Sequence, residues 1–434
     1  MLVTYSQNDA RLVFSFECEE GEPKRDSPKF ASTSFFVDLQ GMATLGEIHP
    51  DHLALSALLV TRPWINGTIR FSIPISQQFA DALEENNIQA APVNGDLEPY
   101  SVSDDGYMGL AFSGGADSTA ALSVLPSTTV PIFLNRPKMA DVSTLYDKDA
   151  ALHACKQLRK VGYRSLIIEC DLEYVRKPVG FPTDLANGVP ALLLAKHLNL
   201  YSLSFGTVFE SLYGLGRLKF KDYAATSHNK MWWNLFESAG IPLSFPVGGV
   251  SEVGTELICS KSGIGTVAQS CIRGRISQPC LHCWKCFRKS TLRVALGLLD
   301  ASKFELKHLL SSKEVVNKLA GLPISHENVL MYSFSRIDES VFHADFFTRF
   351  GTNEDLSYLT MFYSPALDYV HERARSDVNQ NLAQFLNRMG PEHEHQVKEW
   401  DNTERISKTV PLNVTVEHVI PRGTKATCCF RSPP

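Results

Sequence analysis

Short apolar runs alternate with helix-like stretches in the middle of the chain, between residues 108 and 245. Four runs have the length and composition of buried strands: 108–112, 130–134, 165–169 and 201–205. Three stretches between them have helical character: 117–125, 147–161 and 184–198. Strands that alternate with helices of this length predict an α/β fold, a parallel sheet with helices on both faces. Sheets of this kind bind ligands at the carboxyl ends of their strands.

The two ends of the chain follow other patterns. Near the start, β-branched and aromatic runs at 13–16, 34–37 and 68–73 are separated by turn residues, and 77–86 is compatible with one helix. Towards the end, few strand signals occur, and helices are predicted at 291–299, 312–319 and 356–389. The polar, proline-containing tail is expected to be partly disordered. Three parts are therefore predicted: a β-rich N-terminal domain at 1–105, an α/β domain at 106–300 and a helical C-terminal region at 301–434.

Composition and charge exclude some classes of protein. With 44% hydrophobic and 21% charged residues, the chain of 434 residues has ordinary globular composition. Its net charge of −5 gives no overall attraction to nucleic acid, so nucleic acid is not an expected partner. Apolar runs such as Leu53–Val60 are too short to span a bilayer, and the opening residues lack the layout of a signal peptide. We therefore expect a cytoplasmic protein without membrane association.

The first buried strand of the α/β pattern is followed by the sequence Ser113-Gly114-Gly115-Ala-Asp117-Ser118. The two glycines let the backbone bend and approach a ligand closely, and the helix that begins here leaves N–H groups that attract an anion. Ser113 and Ser118 can add hydroxyl donors, and Asp117 can cap the helix or position Mg²⁺. The motif is not a Walker A loop, because no Gly-Lys-Ser/Thr follows. It predicts a phosphate-binding loop; the alternative is an ordinary strand–turn–helix.

Four of the ten cysteines are clustered in the sequence. Cys271, Cys280, Cys283 and Cys286 follow the pattern C-x8-C-x2-C-x2-C. Four thiolates can form a closed tetrahedral shell around Zn²⁺, and a closed shell leaves no open position, so the predicted metal is structural. An iron–sulfur cluster and redox-active thiols are the alternatives. His282 lies between two better ligands and is expected to be an exposed bystander.

The loop and the cysteine pattern together resemble the 7-cyano-7-deazaguanine synthases, which belong to the PP-loop ATP pyrophosphatases. The loop matches the Ser-Gly-Gly-x-Asp-Ser motif of that superfamily, and the segment from Gln269 to Arg288 looks like the zinc segment of the synthases. The resemblance covers residues 108–300. It implies a Rossmann-like fold and a two-step reaction, in which ATP adenylylates the carboxylate of 7-carboxy-7-deazaguanine and an amine then attacks, with release of pyrophosphate and AMP.

The resemblance also implies which residues form the site. Ser113, Asp117 and Ser118 are the implied catalytic residues, with Mg²⁺ as a cofactor and the four cysteines as ligands of Zn²⁺. The implied ATP-binding residues are Ser113, Gly114, Gly115, Asp117, Ser118 and Gly206, which follows the fourth predicted strand.

Two features depart from the synthases. Their tyrosine-glycine-glutamine sequence is absent, and Leu134-Asn135-Arg136-Pro137 stands in its place. The N-terminal and C-terminal parts have no role in a minimal synthase, so we expect them to recognise a protein acceptor or an operon-encoded partner, as in the antiviral defence branch of the wider family. Two alternative functions remain: a tRNA-modifying PP-loop enzyme, of the sulfurtransferase or lysidine synthase type, and a non-catalytic nucleotide-binding regulator.

Overall fold

The computed structural model describes residues 1–19, 27–139, 148–216, 218–301, 309–352, 354–409 and 412. These residues form a mixed α/β protein with two five-stranded sheets. Among them, no helix is both long and apolar enough to cross a membrane. The tail predicted to be partly disordered comprises about the last forty residues. Its first part, up to residue 409, is described and contains helical residues, and residues 413–434 lie outside the described residues.

The N-terminal part of the chain builds the first sheet. The first six strands are β1 (Leu2–Asn8), β2 (Arg11–Glu17), β3 (Lys29–Phe30), β4 (Ser34–Asp38), β5 (Thr68–Ser76) and β6 (Gln89–Asn94). Five of them lie in the order β4-β2-β1-β5-β6, and β1 pairs antiparallel with β2 and parallel with β5. Buried and less buried side chains alternate along β2, as expected of a strand with one face on the core. The three runs predicted as strands in this region all lie in this sheet.

Two helices pack against this sheet, α1 (Pro50–Thr61) and α2 (Gln77–Glu85). α2 confirms the helix predicted at 77–86, and the Ser76 hydroxyl accepts the Phe79 N–H at its start. α1 was not predicted. All of its residues from Asp51 to Thr61 are buried, and a helix that is buried on every side shows no amphipathic period in its sequence.

The second sheet is parallel throughout. The next six strands are β7 (Tyr107–Ala111), β8 (Val130–Asn135), β9 (Leu166–Glu169), β10 (Arg176–Lys177), β11 (Leu200–Phe205) and β12 (Leu243–Ser244). All except β10 belong to this sheet, in the order β12-β11-β7-β8-β9. The four strands predicted in the central part are confirmed, and β12 is added at the edge. β7, which precedes the glycine-rich loop, is the middle strand.

Eight helices in this part of the chain are described: α3 (Ala116–Val124), α4 (Asp149–Lys160), α5 (Val189–Leu193), α6 (Ala195–Leu198), α7 (Phe209–Leu212), α8 (Asn234–Ser238), α9 (Glu252–Lys261) and α10 (Trp284–Ala295). α3 and α4 confirm the predicted helices at 117–125 and 147–161. The single helix predicted over 184–198 is wrong, because a 3-10 turn, α5 and α6 take its place. Pro190 lies at the start of α5, where its missing N–H is tolerated, so the α-helix begins there.

The C-terminal part is mostly helical. Its described elements are α11 (Lys313–Ala320), α12 (Glu327–Phe334), α13 (Ala344–Phe350), β13 (Met361–Phe362), α14 (Glu372–Phe385), β14 (Asn387–Arg388), α15 (Pro391–Lys398) and α16 (Thr403–Lys408). α11 agrees with the helix predicted at 312–319. The stretch 356–389 is helical only in part, because β13 and β14 pair on either side of α14.

The N-terminal sheet lies against one edge of the parallel sheet. Val37 of β4 bridges to Cys170 just after β9, and the Phe36 N–H donates to the Asp171 carboxylate at 2.7 Å. β3 pairs with β10, and one continuous apolar core includes residues from both sheets. The N-terminal part therefore adjoins the edge where β9 ends. The predicted division into three domains stays a prediction.

Candidate functional site

The glycine-rich loop joins the carboxyl end of the middle strand to α3. β7 ends at Ala111, and α3 begins at Ala116. Gly114 has a φ angle of +74°, a conformation that residues with side chains rarely adopt. A Cβ at this position would lie 3.2 Å from the Cα atom of Ala151 on α4. The turn therefore needs glycine both for its backbone conformation and for its packing against α4.

The start of α3 presents hydrogen-bond donors. Gly115 is the N-cap residue, and no side chain caps the helix. Within the described residues, the backbone N–H groups of Asp117 and Ser118 donate to no carbonyl or side chain. The hydroxyl oxygens of Ser113 and Ser118 lie 3.0 Å apart. The Ser118 hydroxyl is occupied within the turn, because it donates to the Gly115 carbonyl at 3.2 Å and accepts the Ser113 N–H at 3.3 Å. Open N–H groups and the partial positive charge of a helix start are features of an anion-binding turn.

Gly206 brings the neighbouring strand close to this turn. It follows β11, which pairs with β7. A Cβ at Gly206 would lie 2.8 Å from the backbone N and Cα atoms of Ser118. This distance is shorter than a van der Waals contact, so the atoms would repel each other. The end of β11 can therefore approach the start of α3 only because residue 206 has no side chain.

Asp117 connects the turn to two further helices. Its Oδ1 atom accepts hydrogen bonds from the Thr255 hydroxyl on α9, at 3.0 Å, and from the Lys289 ammonium on α10, at 3.2 Å. Burial alone would raise the pKa of Asp117, but the charges of Lys289 and Lys285 outweigh burial and place this pKa below its ordinary value. Asp117 is therefore an anion that joins the turn to α9 and α10, and it does not cap α3.

α10 brings cations to carboxylates on α9. Arg288 donates two hydrogen bonds to Glu252, at 2.8 and 2.6 Å, and Lys289 lies 3.4 Å from Glu256. The two glutamate side chains are only 2% and 3% exposed, and the Lys289 side chain is 5% exposed. These contacts and the Asp117 contact form a buried charge network between the turn, α9 and α10.

The partners in this network stabilise one another's charges. Burial would raise the pKa of Glu252, but Arg288 and Lys289 hold it well below its ordinary range. Burial would lower the pKa of Lys289, but Asp117 and the two glutamates of α9 raise it above its ordinary value. Glu210 differs, because burial and then the charge of Glu252 raise its pKa to about 8. Burial and the Glu252 charge therefore favour the neutral form of Glu210, which avoids two adjacent buried anions.

The four clustered cysteines meet in space. Their Sγ atoms all lie within 4.8 Å of one another, and those of Cys280 and Cys286 are 3.8 Å apart. A tetrahedral ion with metal–sulfur bonds of about 2.3 Å spaces its sulfurs by about 3.8 Å. The cluster can therefore hold a metal such as zinc.

The cysteine cluster and the turn are connected through the chain on both sides of the cluster. Before it, the Gln269 N–H donates to the Gly114 carbonyl at 2.6 Å. After it, Cys283 is the N-cap residue of α10, and its sulfur accepts the Cys286 N–H at 3.4 Å. The cluster therefore determines where α10 begins, and α10 carries the cations of the buried charge network. His282 is exposed, as expected.

A cavity of about 990 Å³ opens beside the turn. The ends of β7, β8 and β9 form one part of its wall, and the N-terminal part and the segment after Cys271 form the rest. The residues that line it include Ser113, Phe133, Asp171, Ser32 and Ile272. This is the edge of a parallel sheet at which ligands bind in α/β proteins.

An ion pair belongs to the wall of this cavity. Arg136 lies 3.0 Å from Glu173, and the two side chains are 6% and 11% exposed. Burial raises the pKa of Glu173 in spite of Arg136, and burial also raises the pKa of Asp171 to about 6. Apolar residues such as Phe133 and Phe181 line much of the rest. A mainly apolar cavity with a few polar groups is typical of small-molecule sites.

The structure brings the sequence-predicted residues together in two places. Those of the turn are Ser113, Gly114, Gly115, Asp117, Ser118 and Gly206. Those of the cluster are Cys271, Cys280, Cys283 and Cys286. Sequence reasoning missed the residues of the buried charge network beside Asp117: Glu252, Thr255, Glu256 and Lys289. A signal for this network was present in the sequence, because the cations Arg288, Lys289 and Arg293 follow the last cysteine at helical spacing.

A family of unknown function (DUF6395) matches residues 231–401. The matched region contains α9, the cysteine cluster and α10, whereas the turn at Ser113–Ser118 lies before it. No curated protein and no solved structure matches the chain.

Proposed function

We propose that this chain is an ATP-dependent ligase of the PP-loop type, with the Rossmann-like fold of that superfamily, which activates a carboxylate by adenylylation. One observation carries the proposal. The turn at Ser113–Ser118 follows the middle strand of a parallel sheet and leaves the first N–H groups of α3 open. The Ser-Gly-Gly-x-Asp-Ser sequence of the turn and the four-cysteine cluster both support a relation to the 7-cyano-7-deazaguanine synthases.

The turn is the proposed site for the pyrophosphate end of ATP. The N–H groups of Asp117 and Ser118 and the hydroxyl of Ser113 are donors to phosphate oxygens, and the bare backbone at Gly114 and Gly115 lets these oxygens approach. Asp117 uses Oδ1 for Thr255 and Lys289, so Oδ2 is the oxygen that would hold Mg²⁺. When bound, Mg²⁺ neutralises charge on the leaving pyrophosphate.

The proposed reaction has two steps. A carboxylate oxygen of the substrate attacks the α-phosphorus of ATP, the bond from that phosphorus to the bridging oxygen breaks, and pyrophosphate leaves with the electron pair. An amine nitrogen then attacks the acyl carbon, AMP leaves, and the nitrogen gives its proton to solvent. Donors at the Ser113–Ser118 turn stabilise the negative charge that develops on pyrophosphate in the first step.

The cavity beside the turn is the proposed site for adenosine and the carboxylate substrate. Its volume of about 990 Å³ lies at the upper end of the range for small-molecule sites, about 300–1,000 Å³. Such a volume suits two molecules held side by side. Arg136 and Glu173 present a cation and a carboxylate in the same wall, which suits a polar heterocycle such as 7-carboxy-7-deazaguanine.

Zinc is the proposed metal of the cysteine cluster, with a structural role. Four sulfurs within 4.8 Å suit a single tetrahedral ion, whereas an iron–sulfur cluster distributes its thiolates over several irons. Because Cys283 caps α10, the ion would stabilise the start of the helix that carries the buried cations.

We expect the purified protein to contain about one zinc ion per chain, and we expect Cys286→Ser to lose it. The unfolding temperature of this variant should fall by about 5–10 °C, because the metal joins the segment at Cys271 to the start of α10. Elemental analysis and thermal unfolding measure the two effects. Cys155→Ser, which changes a buried cysteine outside the cluster, should keep its metal. Coloured protein containing iron would contradict the assignment to zinc.

The proposed chemistry predicts pyrophosphate release from ATP and Mg²⁺ in the presence of 7-carboxy-7-deazaguanine. Asp117→Asn keeps the shape of the side chain but removes the charge that pairs with Lys289, so the rate should fall about 100-fold or more. Asp96→Asn, at an exposed turn, should retain the wild-type rate. Tight ATP binding without pyrophosphate release, for any carboxylate offered, would instead identify a nucleotide-binding regulator.

The proposed amine is either ammonia or the amino terminus of a protein acceptor. The full chain is needed to distinguish them, because the N-terminal part contributes Ala31 and Ser32 to the wall of the cavity. Mass spectrometry of the products provides the distinction. Ammonia yields a free small-molecule product, whereas a protein acceptor gains the mass of the acyl group. Conversion of the acid with ammonia alone to the free amide, or to the nitrile when a second ATP activates the amide oxygen and drives the loss of water, would exclude the need for a macromolecular partner.

A further inference from the structure

We infer that Lys285, on α10, binds the outer phosphates of the nucleotide at the Ser113–Ser118 turn. This inference rests on the proposed function. The Nζ atom of Lys285 lies 3.7 Å from the point that a Cβ would occupy on Gly115, and the Ser113 hydroxyl oxygen lies 3.5 Å from the same point. An ammonium group and a hydroxyl group therefore face one small volume beside the N-cap residue of α3.

Lys285 differs from the other cations of α10 in its partners. Arg288 forms an ion pair with Glu252, and Lys289 forms ion pairs with Asp117 and Glu256. Arg293 also forms an ion pair with Glu256. Within the described residues, no carboxylate lies at ion-pair distance from Lys285. Its charge acts on Asp117 only at longer range. Lys285 is thus a partly buried ammonium group beside a turn whose N–H groups are open.

The turn has no cation of its own, because its sequence lacks the lysine of a Walker A loop. A polyphosphate carries several negative charges, and a lysine ammonium is a compact cation that binds phosphate oxygens well. Lys285 would supply this charge from a distant part of the chain. AMP lacks the outer phosphates, so Lys285 should matter for ATP and pyrophosphate but not for AMP.

The position of Lys285 depends on the cysteine cluster. Lys285 lies in the first turn of α10, between the N-cap residue Cys283 and Cys286. Two ligands of the proposed metal therefore fix the backbone on both sides of Lys285. Removal of the metal with a chelator should for this reason lower the affinity for the nucleotide. The decrease should equal the contribution of Lys285 to that affinity.

Titration calorimetry on the full-length protein tests the inference. We expect Lys285→Ala to bind ATP and inorganic pyrophosphate about 10- to 100-fold more weakly and AMP with unchanged affinity. Lys318→Ala, an exposed lysine on α11, should bind all three ligands like the wild type. The affinity of the wild type for pyrophosphate should also decrease more steeply with salt than that of Lys285→Ala.

The outcomes separate the two proposals. Failure of the wild type to bind either ATP or pyrophosphate would reject the nucleotide site itself and the proposed function with it. Equal ATP affinity of the wild type and Lys285→Ala would reject only the role of Lys285. Lys285→Gln keeps most of the side-chain length and replaces the alanine variant if that variant does not fold. If the Lys285 variant keeps its metal and the unfolding temperature of the wild type, the decrease in its affinity results from the missing charge.

Discussion

Lys289→Met is expected to lower the free energy of unfolding by about 3–5 kcal/mol. The Lys289 side chain is 5% exposed, and its Nζ atom lies 3.2 Å from Asp117 and 3.4 Å from Glu256. Methionine has a similar length but no charge. Asp117 would keep only the Thr255 hydroxyl, and Glu256 only the half-exposed Arg293. Buried carboxylates that lose their main cation are costly because burial has already removed their hydration.

Arg293→Met is the matched control for this prediction. Arg293 lies on the same helix, 3.5 Å from the same Glu256, but its side chain is 50% exposed. Exposed ion pairs contribute about 0–1 kcal/mol, so this variant should be close to wild type. Denaturant unfolding of the full chain measures both. The double variant Lys289→Met, Glu256→Gln should be more stable than Lys289→Met alone, because Glu256→Gln removes the carboxylate charge that Lys289→Met leaves without its main cation. Equally mild effects of Lys289→Met and Arg293→Met would show that the buried charge network does not hold α10 in place.

The parallel sheet could be predicted because most residues of its strands are buried. Every residue of β8 and β11 is buried, and apolar residues therefore predominate on both faces of these strands, although β11 also contains Ser202 and Ser204. Ser113, Asn135 and Gly206 follow three of the four predicted runs. Of the helices between the runs, α4 has the ordinary amphipathic period. The order of the strands in the sheet could not be predicted, because the composition of each strand does not determine which other strand it pairs with.

α1 shows where the periodicity gives no information. Its apolar run, Leu53–Val60, is as continuous as that of a buried strand, and periodicity alone does not separate a buried helix from a buried strand. α1 contacts both β5 and α5, so no side of it faces solvent. A helical pattern over 184–198 also does not reveal the interruption at Leu194, between α5 and α6.

The candidate site was predictable only where it is local in sequence. The turn and the cysteine cluster are short motifs, and each carries its chemistry within a few residues. The partners of Asp117 are distant, since Thr255 is 138 residues away and Lys289 is 172 residues away. Only the fold brings them to the turn. The sequence does not show that Arg288 and Lys289 are buried, and their contacts with the carboxylates of α9 give them their role.

Gly206→Ala is expected to weaken ATP binding at the turn by about 100-fold. The added Cβ would lie 2.8 Å from the backbone N and Cα atoms of Ser118 and 2.9 Å from the carbonyl carbon of Asp117. All three atoms belong to the backbone, so no side chain can rotate away, and the start of α3 must move. A displacement of about 1 Å can reduce the effect of a positioned group about 100-fold. The overpacking itself should cost about 1–3 kcal/mol of stability.

Two glycine variants separate this displacement from general destabilisation. Gly95→Ala adds a Cβ with no atom within 4 Å and should change neither stability nor ATP affinity. Gly188→Ala places a Cβ 2.8 Å from a ring carbon of Phe205 and 2.9 Å from a methyl group of Leu203, and these side chains can shift without moving the turn. It should lower stability but leave ATP affinity near that of the wild type. Titration calorimetry and thermal unfolding of the three variants make the comparison. If Gly206→Ala bound ATP as tightly as Gly188→Ala does, the start of α3 would not be part of the nucleotide site. A loss of affinity confined to Gly206→Ala would instead place the phosphates against the start of α3, since the new Cβ would contact the Ser118 N and Cα atoms and the Asp117 carbonyl carbon.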